Sequence, residues 1–257
     1  MARRAMNLHG CALPHCAPPP AAATPAWIAG LATLRDFLPA ASPDLSPPAV
    51  ARWPAYIGAT CPRCGAFEAS GAAPRSPCGL CAASPPPFDA ARSLFAYAGD
   101  VRAAIVATKY AGLPYPVDAV ALRLREALEG GWRDLIPDAD PPTVVPVPVH
   151  PWKYFRRGFN LPALIASRLS RHGGFPFDPL ALSRNTERIP QARLPGILRH
   201  GNVEGAFRAP RGRKVPPAIL LLDDVYTSGA TAEACALALK SAGADSIVVV
   251  TVARAVP

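Results

Sequence analysis

The chain has 257 residues, half of them hydrophobic, and its 27 Lys and Arg outnumber 18 Asp and Glu for a net charge of +9. That is enough for one sizeable domain with a buried core, or a domain plus a small module. No apolar run is long enough to span a bilayer and no leader-like apolar stretch follows Arg3 and Arg4, so a cytoplasmic protein without membrane insertion is expected.

Residues 1–58 are rich in Ala and Pro and are expected to be largely irregular, apart from a short helical pattern over Trp27 to Leu38. A zinc-ribbon-like module with its linker follows at 59–87. It carries Cys61-x2-Cys64, then thirteen residues, then Cys78-x2-Cys81. Two such knuckles supply the four soft ligands that a tetrahedral zinc needs. Gly65 and Gly79 suit the tight turns around the sulfurs. All four positions are filled by protein, which makes the zinc structural rather than catalytic. Redox pairs of this spacing normally open a helix in a thioredoxin-like unit, and no such unit is visible. Cys11 and Cys16, near His9 and His15, have a poor spacing for a second metal. Cys235 lies in an apolar helical pattern and reads as a small core residue. The string ASPPPFD reads as a stiff linker into a third region, 88–257.

From there strands and helices alternate. A strand is expected over Ser93 to Ala98, and Asp100 can cap the helix VRAAIVATKYAG. A second helix, DAVALRLREALEGG, stops at Gly130 and Gly131. The strand Thr143 to His150 is interrupted by prolines, and FNLPALIASRLSRHGG reads as a third helix. Ser183 to Phe207 is a basic connection too long to be ordinary. Then come strand AILLLDD, helix ATAEACALALKSAGA and strand SIVVVTVAR, a βαβ unit whose unbroken apolar runs predict a parallel sheet covered on both faces.

The basic excess is concentrated. Thirteen Lys and Arg lie between Lys153 and Lys214, against only Asp178, Glu187 and Glu204. Such a concentration attracts phosphate, on a small ligand or on a nucleic acid. Trp152, Tyr154, Phe155 and Phe159 interleave with Lys153, Arg156 and Arg157; they are either core residues or a stacking surface for single-stranded DNA.

The stretch ILLLDDVYTSGAT carries the most chemistry. Asp223 and Asp224 close an apolar strand, and ligands of open α/β sheets bind beyond such strand ends. Val225, Tyr226, Thr227, Ser228, Gly229, Ala230 and Thr231 then lead into a helix. Backbone N–H groups, hydroxyls and a helix N-terminus suit a phosphate, and Gly229 permits close approach. Two carboxylates beside that cradle need ribose hydroxyls or a magnesium ion to face. No Walker A loop occurs.

ILLLDDVYTSGAT resembles the phosphoribosyl pyrophosphate (PRPP) signature of type I phosphoribosyltransferases. With VPVPVHPWKYFRRGFN, KYAG and Gln191, Leu194, Arg199, Asn202, Val203, Gly205, Ala206 and Phe207, the chain from about Cys61 to Arg254 resembles the ComF family, which includes GntX-type proteins. This chain has Thr227-Ser228-Gly229 where the family commonly has Thr-Thr-Gly, and it lacks the further CxxC pairs usual near the N-terminus. The resemblance implies an α/β fold: a type I phosphoribosyltransferase-like parallel sheet flanked by helices, with an N-terminal zinc-ribbon module. It implies that Asp223 and Asp224 hold the ribose hydroxyls and that Thr227 to Thr231 wrap a 5′-phosphate. Val147, Pro148, Val149 and His150 would form a pyrophosphate loop. Arg184, Arg188, Gln191, Arg193 and Arg199 would belong to a loop closing over the ligand. The reaction implied is displacement of pyrophosphate from C1 of PRPP, with magnesium neutralising the leaving group. His150 reads more readily as structural than as catalytic, and no general base or acceptor is evident. The resemblance also implies a role in natural transformation, handling single-stranded DNA directly or docking a helicase-like competence partner. In that case the site would serve a non-catalytic binding module.

Overall fold

In the computed structural model the described residues are 44–56, 60–67, 76–111, 115–137, 140–184 and 205–255. They all fall in one compact unit, Pro39–Pro257. The helical pattern at Trp27–Leu38 and the pair Cys11 and Cys16 lie outside them.

The framework is a four-stranded, all-parallel sheet. Its strands are β1 (Ala90–Ala96), β2 (Thr143–Pro146), β5 (Ala218–Tyr226) and β6 (Ser246–Arg254), in the order β1-β6-β5-β2. Strand β5 shows why the sheet is two-sided. Leu220 and Leu222 join the cluster with Ile105, Leu124 and Ile165, while Ile219 and Leu221 join the opposite cluster with Cys235 and Leu239. All four β5 side chains are fully buried, each contributing about 2 kcal/mol of burial. Side chains alternate across a strand, so an unbroken apolar run requires a helical layer on each face.

One layer comprises α3 (Gly99–Ala111), α4 (Val117–Glu129) and α6 (Leu161–Gly173), joined by Trp53 after the short helix α1 (Pro47–Ala51). The other is α7 (Ala230–Ser241), whose buried face of Ala232, Cys235, Ala236 and Leu239 is built largely from small residues. Cys235 is thus a core residue; burial raises its thiol well above the usual range.

Several boundaries differ from the sequence pattern. β1 starts at Ala90, earlier than Ser93, because Ala90, Ala91 and Arg92 pair with Val248, Val249 and Val250. Helix α3 starts at Gly99, so Asp100 sits in its first turn instead of capping it. β2 ends at Pro146; Val147 N–H makes the last bond to β5, and Pro148 to His150 leave the ladder. Prolines 146 and 148 lack the N–H that further pairing would require. The proline-rich segment before the cysteines contains α1, with Ser46 as its N-cap, and the short helix α2 (Gly79–Ala83) carries Cys81. A seven-residue helix, α5 (Pro151–Arg157), follows β2. The long basic connection is tied at its base by β3 (Ser183–Arg184) and β4 (Phe207–Arg208), which pair antiparallel. Arg188, Gln191, Arg193 and Arg199 lie outside the described residues. Among the described residues no helix is long and apolar enough to cross a membrane.

Candidate functional site: the β5 edge, its basic rim and the cysteine knuckles

β5 does not stop at its acids. It continues to Tyr226, because Asp223, Val225 and Tyr226 pair with Thr251, Ala253 and Arg254 of β6. The two carboxylates therefore belong to a rigid strand rather than a loop. The Asp223 Oδ1 accepts the Asp224 backbone N–H at 2.8 Å. The Asp224 Oδ2 meets Lys109 Nζ, from the last turn of α3, at 2.6 Å. Burial first, and then the adjacent Asp224 charge, push the Asp223 carboxyl up from 3.8 to about 7, against the pull of that N–H, Lys109 and Arg184. At neutral pH the acid pair therefore holds a proton part of the time.

Beyond Tyr226 the chain turns through Thr227 and Ser228 into α7. Gly229 is the N-cap, with φ +87° and no side-chain cap. A Cβ at Gly229 would collide with the Tyr226 hydroxyl, so this turn requires glycine on two counts. Ser228 Oγ accepts the Ala230 N–H at a long 3.5 Å. Asp223, Tyr226, Thr227, Gly229, Thr231 and Thr251 line a small concavity at this strand end. An anion there would meet the N-terminus of a twelve-residue helix.

The segment Val147 to His150 runs alongside. Val147 N–H donates to Leu222 O at 2.8 Å, and Asn160 Nδ2 donates to Val147 O at 3.0 Å. His150 acts structurally, since its Nδ1 accepts the Trp152 N–H at 3.2 Å and caps α5. Behind this segment stands a cationic cluster. Burial, then Arg184, Arg157, Lys109 and Arg156, lower the proton affinity of Lys153. Arg184 stacks over Phe207 at 5.2 Å and Arg157 over Tyr110 at 5.2 Å. The aromatics of α5 are not core: Trp152 is 61% exposed, Tyr154 52% and Phe155 89%. Phe159 alone among the four packs partly against the core.

The four cysteines form a second constellation. Their sulfurs all lie within 4.8 Å of one another. Cys64 Sγ and Cys78 Sγ are 3.8 Å apart, the edge expected of a tetrahedron with Zn–S bonds of about 2.3 Å. Burial raises the Cys64 and Cys81 thiols, whereas at Cys61 the N–H groups of Cys78, Cys64 and Arg63 outweigh burial and bring the thiol down to about 7. The donor set thus fits a structural zinc, held by Cys61, Cys64, Cys78 and Cys81. The first knuckle is also bonded to the sheet: Ala91 N–H donates to Arg63 O at 2.6 Å, and Arg254 Nη1 to Cys64 O at 2.6 Å.

The structure brings Asp223, Asp224 and the Thr227–Thr231 turn to one strand end, next to Val147–His150, with Arg184 in electrostatic reach. Sequence reasoning gave no role to Lys109, although it lies in the KYAG string. Its charge is matched to Asp224 only by the packing of α3 against the sheet.

No protein-family model matches the chain. Curated relatives do. DNA utilization protein YhgH of Escherichia coli strain K12 is 30% identical over 191 residues, covering 73% of this chain and 80% of that protein. The protein of the same name from Salmonella typhi is 29% identical with the same coverage. Competence protein F of Haemophilus influenzae is 30% identical over 117 residues, 45% of this chain and 51% of that protein. Kinship over four-fifths of a relative, joined to the parallel sheet and the four-cysteine cluster, settles the lineage: this chain belongs to the ComF/GntX family.

Proposed function

We propose that the β5 edge is a PRPP-type ribose-phosphate site in a protein of DNA uptake and competence, with pyrophosphate displacement at C1 of PRPP as its chemistry. The observation that carries this reading is one juxtaposition. Two adjacent strand-held carboxylates stand shortly before a helix N-terminus capped by glycine, where only Ser228 Oγ reaches the first N–H, at a long 3.5 Å. Asp223 and Asp224 accept hydrogen bonds from the ribose 2′- and 3′-hydroxyls. N–H groups and hydroxyls from Thr227 to Thr231 surround the 5′-phosphate. Val147 to His150 receive the pyrophosphate, while Lys153, Arg157 and Arg184 offset its charge. In the transfer, the C1–O bond breaks with its electron pair leaving on pyrophosphate, and an acceptor nucleophile forms the new bond to C1. Magnesium, arriving with the pyrophosphate, would add charge neutralisation there. The link to competence and DNA uptake is supported by the names of the relatives, DNA utilization protein and Competence protein F.

The test is thermal melting with millimolar PRPP and Mg²⁺. Binding to the native state raises the melting temperature by several degrees at a large excess of ligand. Asp224→Asn is expected to remove that shift. A wild-type melting curve unmoved by PRPP refutes the site.

A second reading is favoured by the exposed α5 aromatics. Trp152, Tyr154 and Phe155, interleaved with Lys153, Arg156 and Arg157, offer stacking faces and phosphate partners to a single strand of DNA. The two readings share Lys153 and Arg157 of α5, so PRPP and a DNA strand would compete for those two cations.

A further inference from the structure

The cysteine cluster and the phosphate turn are distant in sequence yet meet through one side chain. Arg254 ends β6 and is 8% exposed. Its Nη1 donates to the Cys64 carbonyl at 2.6 Å, and its guanidinium lies over the Tyr226 ring at 4.2 Å. Tyr226 in turn supports the turn into α7, because its hydroxyl fills the space that a Cβ on Gly229 would need. On the knuckle side, Gly65 has φ +70°; a Cβ there would collide with the Ala91 carbonyl and stand 3.8 Å from Arg254 Nη1. Among the described residues Arg254 pairs with no carboxylate, and both of its side-chain partners are neutral. A guanidinium placed this way fixes geometry, because it holds a knuckle carbonyl and a ring at once. A planar guanidinium can donate from its edge to a carbonyl while stacking its face on a ring, which a lysine ammonium cannot.

We propose that Arg254 is a positioning residue that transmits the geometry of the Cys61–Cys64 knuckle to the Tyr226–Gly229 turn, so that the metal-holding module tunes affinity for a 5′-phosphate. The ligand half of this statement rests on the ribose-phosphate reading above; the mechanical half does not. The path is continuous: knuckle carbonyl, guanidinium, phenol ring, glycine turn. Pyrophosphate, assigned to Val147–His150 at the end of β2, lies off this path.

The experiment compares Arg254→Met and Arg254→Lys with wild type in the zinc-loaded full-length chain. It reads zinc content, amide hydrogen exchange at Gly229 to Thr231, and calorimetric binding of ribose 5-phosphate and of inorganic pyrophosphate. In both variants the turn amides are expected to exchange about tenfold faster and ribose 5-phosphate to bind about tenfold more weakly, a coupling in the usual range for linked sites. Zinc content and pyrophosphate affinity stay within about twofold of wild type. Tyr226→Leu breaks the same path from its other side and reproduces the pattern, so the idea stays testable if an Arg254 variant does not fold. Unchanged exchange at the turn, rescue by Lys, or equal weakening of both ligands overturns the proposal. Faster exchange at the turn in a protein whose wild type ignores ribose 5-phosphate upholds the mechanical link and refutes the ligand reading.

Discussion

Asp223 is the residue on which the candidate site turns. Its carboxyl is raised to about 7, chiefly by burial and secondarily by Asp224, so the native state keeps a proton that the unfolded chain loses near 3.8. That retained proton favours the fold below the lower value, and the benefit is lost as pH rises through about 7. Asp223→Asn, a neutral replacement of nearly the same shape, should therefore stabilise the protein increasingly from pH 4 to 7 relative to wild type, with a constant difference above. Urea denaturation at pH 5 and pH 8 measures this; equal differences at both would refute the raised carboxyl. The acid pair itself was legible in the sequence, since two carboxylates after four apolar residues are conspicuous. Its electrostatics were not. The partner of Asp224 is Lys109, on a helix more than a hundred residues earlier in the chain, and no local pattern announces that contact.

At the scale of elements, β5 and α7 were legible because one principle governs each: unbroken apolar residues for a two-sided strand, glycine before a helix for the turn. The continuation of β5 past its acids to Val225 and Tyr226 was not, because it is set by pairing with Ala253 and Arg254 of β6, which no local pattern announces. Helix α5 was equally hidden. Seven residues carry too little periodicity, and its cap is a histidine ring rather than the usual hydroxyl or carboxylate. The turn at Gly229 gives the sharpest element-level prediction. Gly229→Ala forces a side chain into φ +87° and against the Tyr226 hydroxyl, a cost of about 2 kcal/mol. A lowered urea midpoint with an unchanged slope is expected; a neutral substitution would mean that the turn relaxes freely.

The whole molecule carries its net charge of +9 largely between Lys153 and Lys214, and α5 places part of that charge beside exposed rings. Binding of a single-stranded oligonucleotide is therefore expected to fall steeply with salt. Phe155→Ala should weaken it by about 1–3 kcal/mol, and Arg156→Ala with Arg157→Ala should flatten the salt slope. Fluorescence anisotropy across a salt series measures both; weak binding already at low salt refutes this surface. Whether the α5 rings were core or surface could not be read from composition, because both uses have the same spacing and only the position of the helix off the sheet decides.

The strand order β1-β6-β5-β2 has a kinetic consequence. The last strand in sequence lies inside the sheet, and its partner β1 is among the first elements, as the buried Ser93–Thr251 hydroxyl contact across 158 residues shows. Non-local parallel pairing of this kind slows folding, since loop-closure entropy is lost before the contacts form. During synthesis the apolar edge of β1 waits uncovered until β6 emerges from the ribosome. The knuckle is already bonded to β1 through Ala91 N–H and Arg63 O, and the bond from Arg254 at the end of β6 is added only when that strand is in place. Completion of the core thus also completes the docking of the cysteine module.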